Sequence, residues 1–171
     1  ESRVMKLNLD NEALKLLDAE FDNLATEGAS PEQIEEAKQS NSGIKGILHN
    51  DTVIASLCDD IVTHYEENRQ YELTGKAMIV AYDKEAAVKI YRQLLKMRPG
   101  WKEKVHVVVS SNNKDNPDWE DVIRPKKEDG KTYWKTEEFA ALFKDDKSPM
   151  KIAIVVDMWL TGFDVPSLAT M

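Results

Sequence analysis

A single cysteine, Cys58, stands in a chain of 171 residues, which excludes an internal disulfide framework and any cysteine-rich metal site. One thiol of this kind suits a reducing cytoplasm, and its place beside Leu57 on the apolar side of a helix reads as a buried, inert group. No apolar run approaches the length of a membrane span, and no charged-then-apolar leader opens the chain. There is no internal repeat and no low-complexity tract. The run Gly-x-x-x-x-Gly-Lys-Ser/Thr is absent, so nothing in this chain can cradle nucleotide phosphates and Mg²⁺. His49, His64 and His106 are scattered, with no Cys or carboxylate at ligand spacing; they read as structural, and no metal site is expected. Glu1-Ser2-Arg3 does not resemble a natural start, so the chain is expected to be a segment of something longer.

Hydrophobic residues make up 42% and charged residues 32%, the composition of a soluble globular domain with a real core. The net charge of −8 argues against nucleic acid only when taken as one number. Residues 1–75 hold six Lys/Arg against sixteen Asp/Glu, whereas residues 76–171 hold seventeen against fifteen. Any phosphate contact belongs to the second part.

The first part reads as helices. Leu14, Leu17, Phe21 and Leu24 mark one face of a helix from Asn11. Ser30-Pro31-Glu32-Gln33 is a capping box with proline at the first helical position, and it starts a second helix. A third begins near Asp51, with Val53, Ile54, Leu57, Ile61 and Tyr65 on one side. Between them, the polar, glycine-containing segment Gln39 to Gly46 reads as a loop.

At Gly75 the pattern changes. Ala77 to Tyr82, Val105 to Val109 and Ile152 to Val156 are short apolar runs suited to strands buried on both faces. Asp83 can cap a helix with Ala86 or Ala87, Ile90, Tyr91, Leu94 and Leu95 on its core side, stopped by Pro99-Gly100. Strand, helix, strand at this spacing implies right-handed crossovers and a parallel α/β sheet. The polar stretch Asn112 to Lys135 is too long for a simple connector and precedes a helix from about Thr136 to Phe143. Within it, Arg124 to Lys135 interleaves five basic residues with Tyr133 and Trp134. That pattern suits a strand-tracking groove, although a solvated, partly disordered loop is the preferred reading.

Ligands of open parallel sheets bind beyond the carboxyl ends of the strands. Tyr82-Asp83, Ser110-Ser111 and Asp157 onward occupy that edge. After the third strand, Gly162 stands between Thr161 and Phe163, and Asp164 follows. A glycine lets backbone approach a ligand closely, and a neighbouring carboxylate can accept hydrogen bonds from hydroxyls such as those of a ribose. Without context, Gly-Phe-Asp-Val-Pro is only a turn.

The stretch Val156-Asp157-Met158-Trp159-Leu160-Thr161-Gly162-Phe163-Asp164-Val165-Pro166, after an apolar strand, resembles motif V of superfamily 2 helicases and translocases. Its form is similar to that of the DNA-translocating restriction subunits of type I restriction enzymes. Lys76 to Tyr91 resembles motif IV, and Val105 to Ser111 the strand and polar turn that follow it. The likeness covers roughly residues 45–171. It implies an α/β fold with a parallel RecA-like (P-loop NTPase-like) sheet flanked by helices. Residues 1–45 would form a helical extension or linker, and 46–171 a second RecA-like motor domain, truncated before its arginine-rich motif VI.

The resemblance further implies ATP–Mg²⁺ held between two motor domains, with Asp164 on the ribose and the Gly162 backbone beside the phosphates. Duplex DNA would cross their tops near Asp83, Ser110, Ser111, Asp157 and Thr161. Only the serines are natural phosphate donors there; the carboxylates would cap turns or orient neighbours. Partners would be the modification and specificity subunits, in a bacterial cytoplasm and without a membrane. No acidic box or nuclease centre is recognisable and no catalytic residue is assigned, so the isolated chain is expected neither to hydrolyse ATP nor to cut DNA. The alternatives are another superfamily 2 helicase, a type III restriction subunit included, and a non-enzymatic α/β interaction module.

Overall fold

The computed structural model describes residues 41–68, 75–112, 115–159 and 168–170. The helices expected from Asn11 and Ser30 lie outside them, as do Thr161, Gly162 and Asp164. The chain clusters into two compact units, Glu1–Leu57 and Cys58–Met171.

In the first unit, helix α1 spans Asn41–Leu48, which corrects the loop expected over Gln39 to Gly46. Two glycines cost about 1 kcal/mol each against alanine in a helix. They are outweighed where Ile47 and Leu48 are drawn half out of water and the last turn closes through His49 N–H to the Lys45 carbonyl at 2.8 Å. Helix α2, Asp51–Asn68, starts where the sequence placed it. Asn50 caps it, its Oδ1 accepting from Thr52 N at 2.9 Å and Val53 N at 3.2 Å. Val53 and Ile54 are buried.

In the second unit, α2 goes on to bury Cys58, Val62 and Tyr65. This stripe is turned slightly from the expected one, for Leu57 and Ile61 are only half-buried. Cys58 has no exposed surface, and burial pushes its thiol pKa up to about 12, as its reading as an inert group required. The Tyr65 hydroxyl donates to the Gly75 carbonyl at 2.8 Å, and its ring meets Trp101 edge-on with centroids 5.3 Å apart.

Four parallel strands form the sheet: β1 (Lys76–Val80), β2 (Val105–Val108), β3 (Ile152–Val155) and the short β4 (Leu168–Thr170), in the order β2-β3-β1-β4. The parallel α/β expectation holds. Central β3 is buried at all four positions, as a strand covered on both faces must be. Side chains alternate between faces. Met78, Val108, Ala153 and Val155 share one face with Phe139, Phe143 and Met150, and the two phenylalanines belong to helix α5, Thr136–Lys144. Ile152, Ile154, Val105 and Val107 point the other way, toward helix α3, Lys84–Met97, which buries Ala86, Ala87, Val88, Ile90 and Leu94. A short helix α4, Glu120–Ile123, packs against α3 and β2.

Lys76 is fully buried at the start of β1. Its ammonium lies over the Phe143 ring, 5.9 Å from the centroid, and reaches the exposed Asp146 carboxylate at 2.8 Å. The buried charge is thus matched by a carboxylate at the surface.

Candidate functional site

The register sets the geometry of the carboxyl edge. Val80 of β1, Val155 of β3 and Val108 of β2 stand level across the sheet, so the three polar exits that the sequence singled out leave from one edge. The connection after β1 leads to β2 on one side, and that after β3 leads to β4 on the other.

Each exit is shaped by its own residues. Asp83, in extended conformation, caps α3 through its Oδ1, which accepts from Ala86 N at 2.9 Å. Its carboxylate therefore orders a turn. Next to it, Lys84 reaches Asp115 at 2.6 Å, and Asp115 also accepts from Asn112 N at 2.7 Å. Burial pushes the Asp115 pKa up, but the bonds from Lys84 and Asn112 outweigh it and leave the carboxyl below its ordinary value. This pair, absent from the sequence reading, ties the exit of β1 to the turn after β2. Ser110 and Ser111 lie exposed just before that turn.

The exit of β3 is the most constrained. Asp157 and Trp159 both have left-handed backbone, with φ of 51° and 62°. Aspartate tolerates this region, but a tryptophan there is an outlier that needs external support. The support is visible: the Trp159 ring stacks on Phe143 with centroids 5.7 Å apart, and Met158 packs on the same core cluster. Asp157 is left exposed at the edge. The residues that follow, Thr161, Gly162 and Asp164, lie outside the described part of the chain.

Beyond β2, residues 124–135 correct the solvated-loop expectation. Lys126 and Tyr133 form an antiparallel bridge, closed by Lys127 N–H to the Thr132 carbonyl at 2.8 Å and Trp134 N–H to the Pro125 carbonyl at 3.0 Å. Asp129 and Gly130 make the tip. Gly130 has φ of +66°, and Asp129 accepts from Lys131 N, Thr132 N and Thr132 Oγ1 within 2.7–2.8 Å. These bonds, the Thr132 hydroxyl first, hold the Asp129 pKa down at about 2. An Asp-Gly pair between alternating residues was the available signal for a hairpin. Between this hairpin and the end of β2 lies a cavity of about 510 Å³, whose polar lining includes Ser111, Arg124, Lys135 and Thr136.

No family model and no solved structure matches the sequence. Two relatives do. One, named as the type I restriction enzyme MjaIXP endonuclease subunit of Methanocaldococcus jannaschii, is 38% identical over the whole chain. The other, the type I restriction enzyme HindI endonuclease subunit of Haemophilus influenzae, is 29% identical over 73% of it. The chain spans only 15% and 12% of their respective lengths. By sequence, then, this chain belongs with the endonuclease subunits of type I restriction enzymes, and it corresponds to a segment of them.

Proposed function

We propose that this segment is part of the second motor domain of a DNA-translocating restriction subunit, contributing to ATP and duplex DNA binding. The observation that carries the reading is the edge of the sheet. Three strand exits stand level at one edge, and the exit of β3 holds two left-handed residues, Asp157 and Trp159, shortly before Thr161-Gly162-Phe163-Asp164 in the sequence. Strain of this kind persists only where surrounding structure fixes it, and it concentrates at ligand sites.

The donor set fits half of a nucleotide site. Asp164 suits a ribose hydroxyl and the Gly162 backbone a close phosphate approach, whereas no side chain of this segment cradles a triphosphate or Mg²⁺. A second motor domain has to supply that cradle. ATP bound between the two would supply the energy of domain closure and reopening. This segment's own part is to position the ribose and to face the DNA backbone through Ser110, Ser111 and Thr161, with Asp83 and Asp157 ordering the turns around them. Modification and specificity subunits and a cytoplasmic site of action belong to the same reading. Among the described residues, no helix is long and apolar enough to cross a membrane.

The test is ATP turnover by the 171-residue chain alone with Mg²⁺ and duplex DNA. None above background is expected. Turnover that vanishes on mutating Asp164 would place a complete ATPase within this segment and contradict the account.

A further inference from the structure

Resting on that reading, we infer that the hairpin of residues 124–135 is a contact finger for the phosphate backbone of duplex DNA, gripping it through Lys126, Lys131 and Lys135. The finger carries Arg124, Lys126, Lys127, Lys131 and Lys135 against Glu128 and Asp129, on a chain whose net charge is −8. Its charges are not equivalent. Lys127 is engaged with Glu138, and Arg124 stands 4.0 Å from Glu120. Asp129 is bound into the tip by three local hydrogen bonds. Lys126, Lys131 and Lys135 are exposed, and none of them forms an ion pair among the described residues. The surplus positive charge on this fixed scaffold is theirs.

The aromatic residues decide what kind of strand fits. Base stacking needs an open ring face. Tyr133 is covered by the Arg124 guanidinium at 4.8 Å and approached by the Lys126 ammonium at 5.8 Å. Trp134 stacks on Phe139 at 5.5 Å and carries the Lys127 ammonium at 4.9 Å. The rings therefore hold cations in place and leave no platform for bases. Recognition through charge, without base stacking, is how a duplex backbone is gripped irrespective of sequence. The cavity beside the finger extends the surface with the Ser111 and Thr136 hydroxyls. It joins the finger to the strand edge where Ser110 and Ser111 emerge.

The experiment measures binding of a labelled duplex to the full-length subunit across a salt series. It compares wild type with K126A/K131A/K135A and with K126R/K131R/K135R. Each phosphate contact contributes about 0.9 to the slope of log affinity against log salt. The alanine variant should flatten that slope by about 2–3, equally for unrelated duplex sequences, and the arginine variant should restore it. A wild-type slope in the alanine variant overturns the finger while leaving the motor reading intact, provided wild type binds duplex and turns over ATP. Loss of binding in the arginine variant together with a lowered melting temperature shows the lysines to be structural and also overturns it. Wild type that binds no duplex removes the finger and the motor reading together.

Discussion

Asp129 has no burial to draw on, yet it is the residue that gives residues 124–135 their shape. Its carboxylate answers three donors at the hairpin tip, and these hold its pKa near 2, below the ordinary 3.8. A carboxyl whose pKa is lowered on folding stabilises the folded form above its unfolded pKa, and that contribution fades as pH falls through the folded value. The hairpin should thus keep its order to about pH 4 and lose it toward pH 2. Amide chemical shifts of Lys131 and Thr132 would follow the titration. Shifts that stay constant over this window would show that the tip does not depend on the carboxylate. At the same scale, Asp83 shows how sequence and structure met. Its position before an apolar helical stripe was enough to name it an N-cap, because a cap is a local event. The Lys84–Asp115 pair was not legible: thirty-one residues separate the partners, and only the crossover brings them together.

Among the elements, the strands and α3 were the most legible. An apolar run bounded by polar turns has few other ways to satisfy its backbone. Helix α1 was hidden because glycine and serine in Asn41–Leu48 dominate a local reading. The hairpin was hidden for the opposite reason: a high charge density masked the Asp-Gly turn. The exit of β3 belongs to this scale too. Left-handed backbone costs a residue with a Cβ roughly 1–2 kcal/mol, least for aspartate and asparagine and most for β-branched side chains. Asp157→Val should therefore destabilise the chain by at least about 1 kcal/mol despite the exposure of the site, and Asp157→Gly should be neutral or stabilising in a thermal melt. Equal melting temperatures for the two variants would mean that the turn is not held in this conformation in solution.

At the scale of the whole molecule, the sheet edge and the family likeness point to the same place. The sequence stretch that carried the resemblance begins at the strained exit of β3 and runs on to Asp164. On the proposed reading the other half of the site, a phosphate cradle, would be supplied by residues outside this chain. The account therefore stands on Asp164 serving a nucleotide shared with a second domain. The most direct measurement is the ATPase rate of the full-length subunit against ATP concentration for wild type and Asp164→Ala, with a thermal melt of each. Removing a hydrogen bond to a charged acceptor costs about 1.5–3 kcal/mol, or roughly one to two decades in apparent affinity. The account predicts that shift in ATP dependence, with DNA translocation falling alongside it and the melting temperature unchanged. A lowered melting temperature with wild-type ATP kinetics would make Asp164 a structural turn residue and contradict the account.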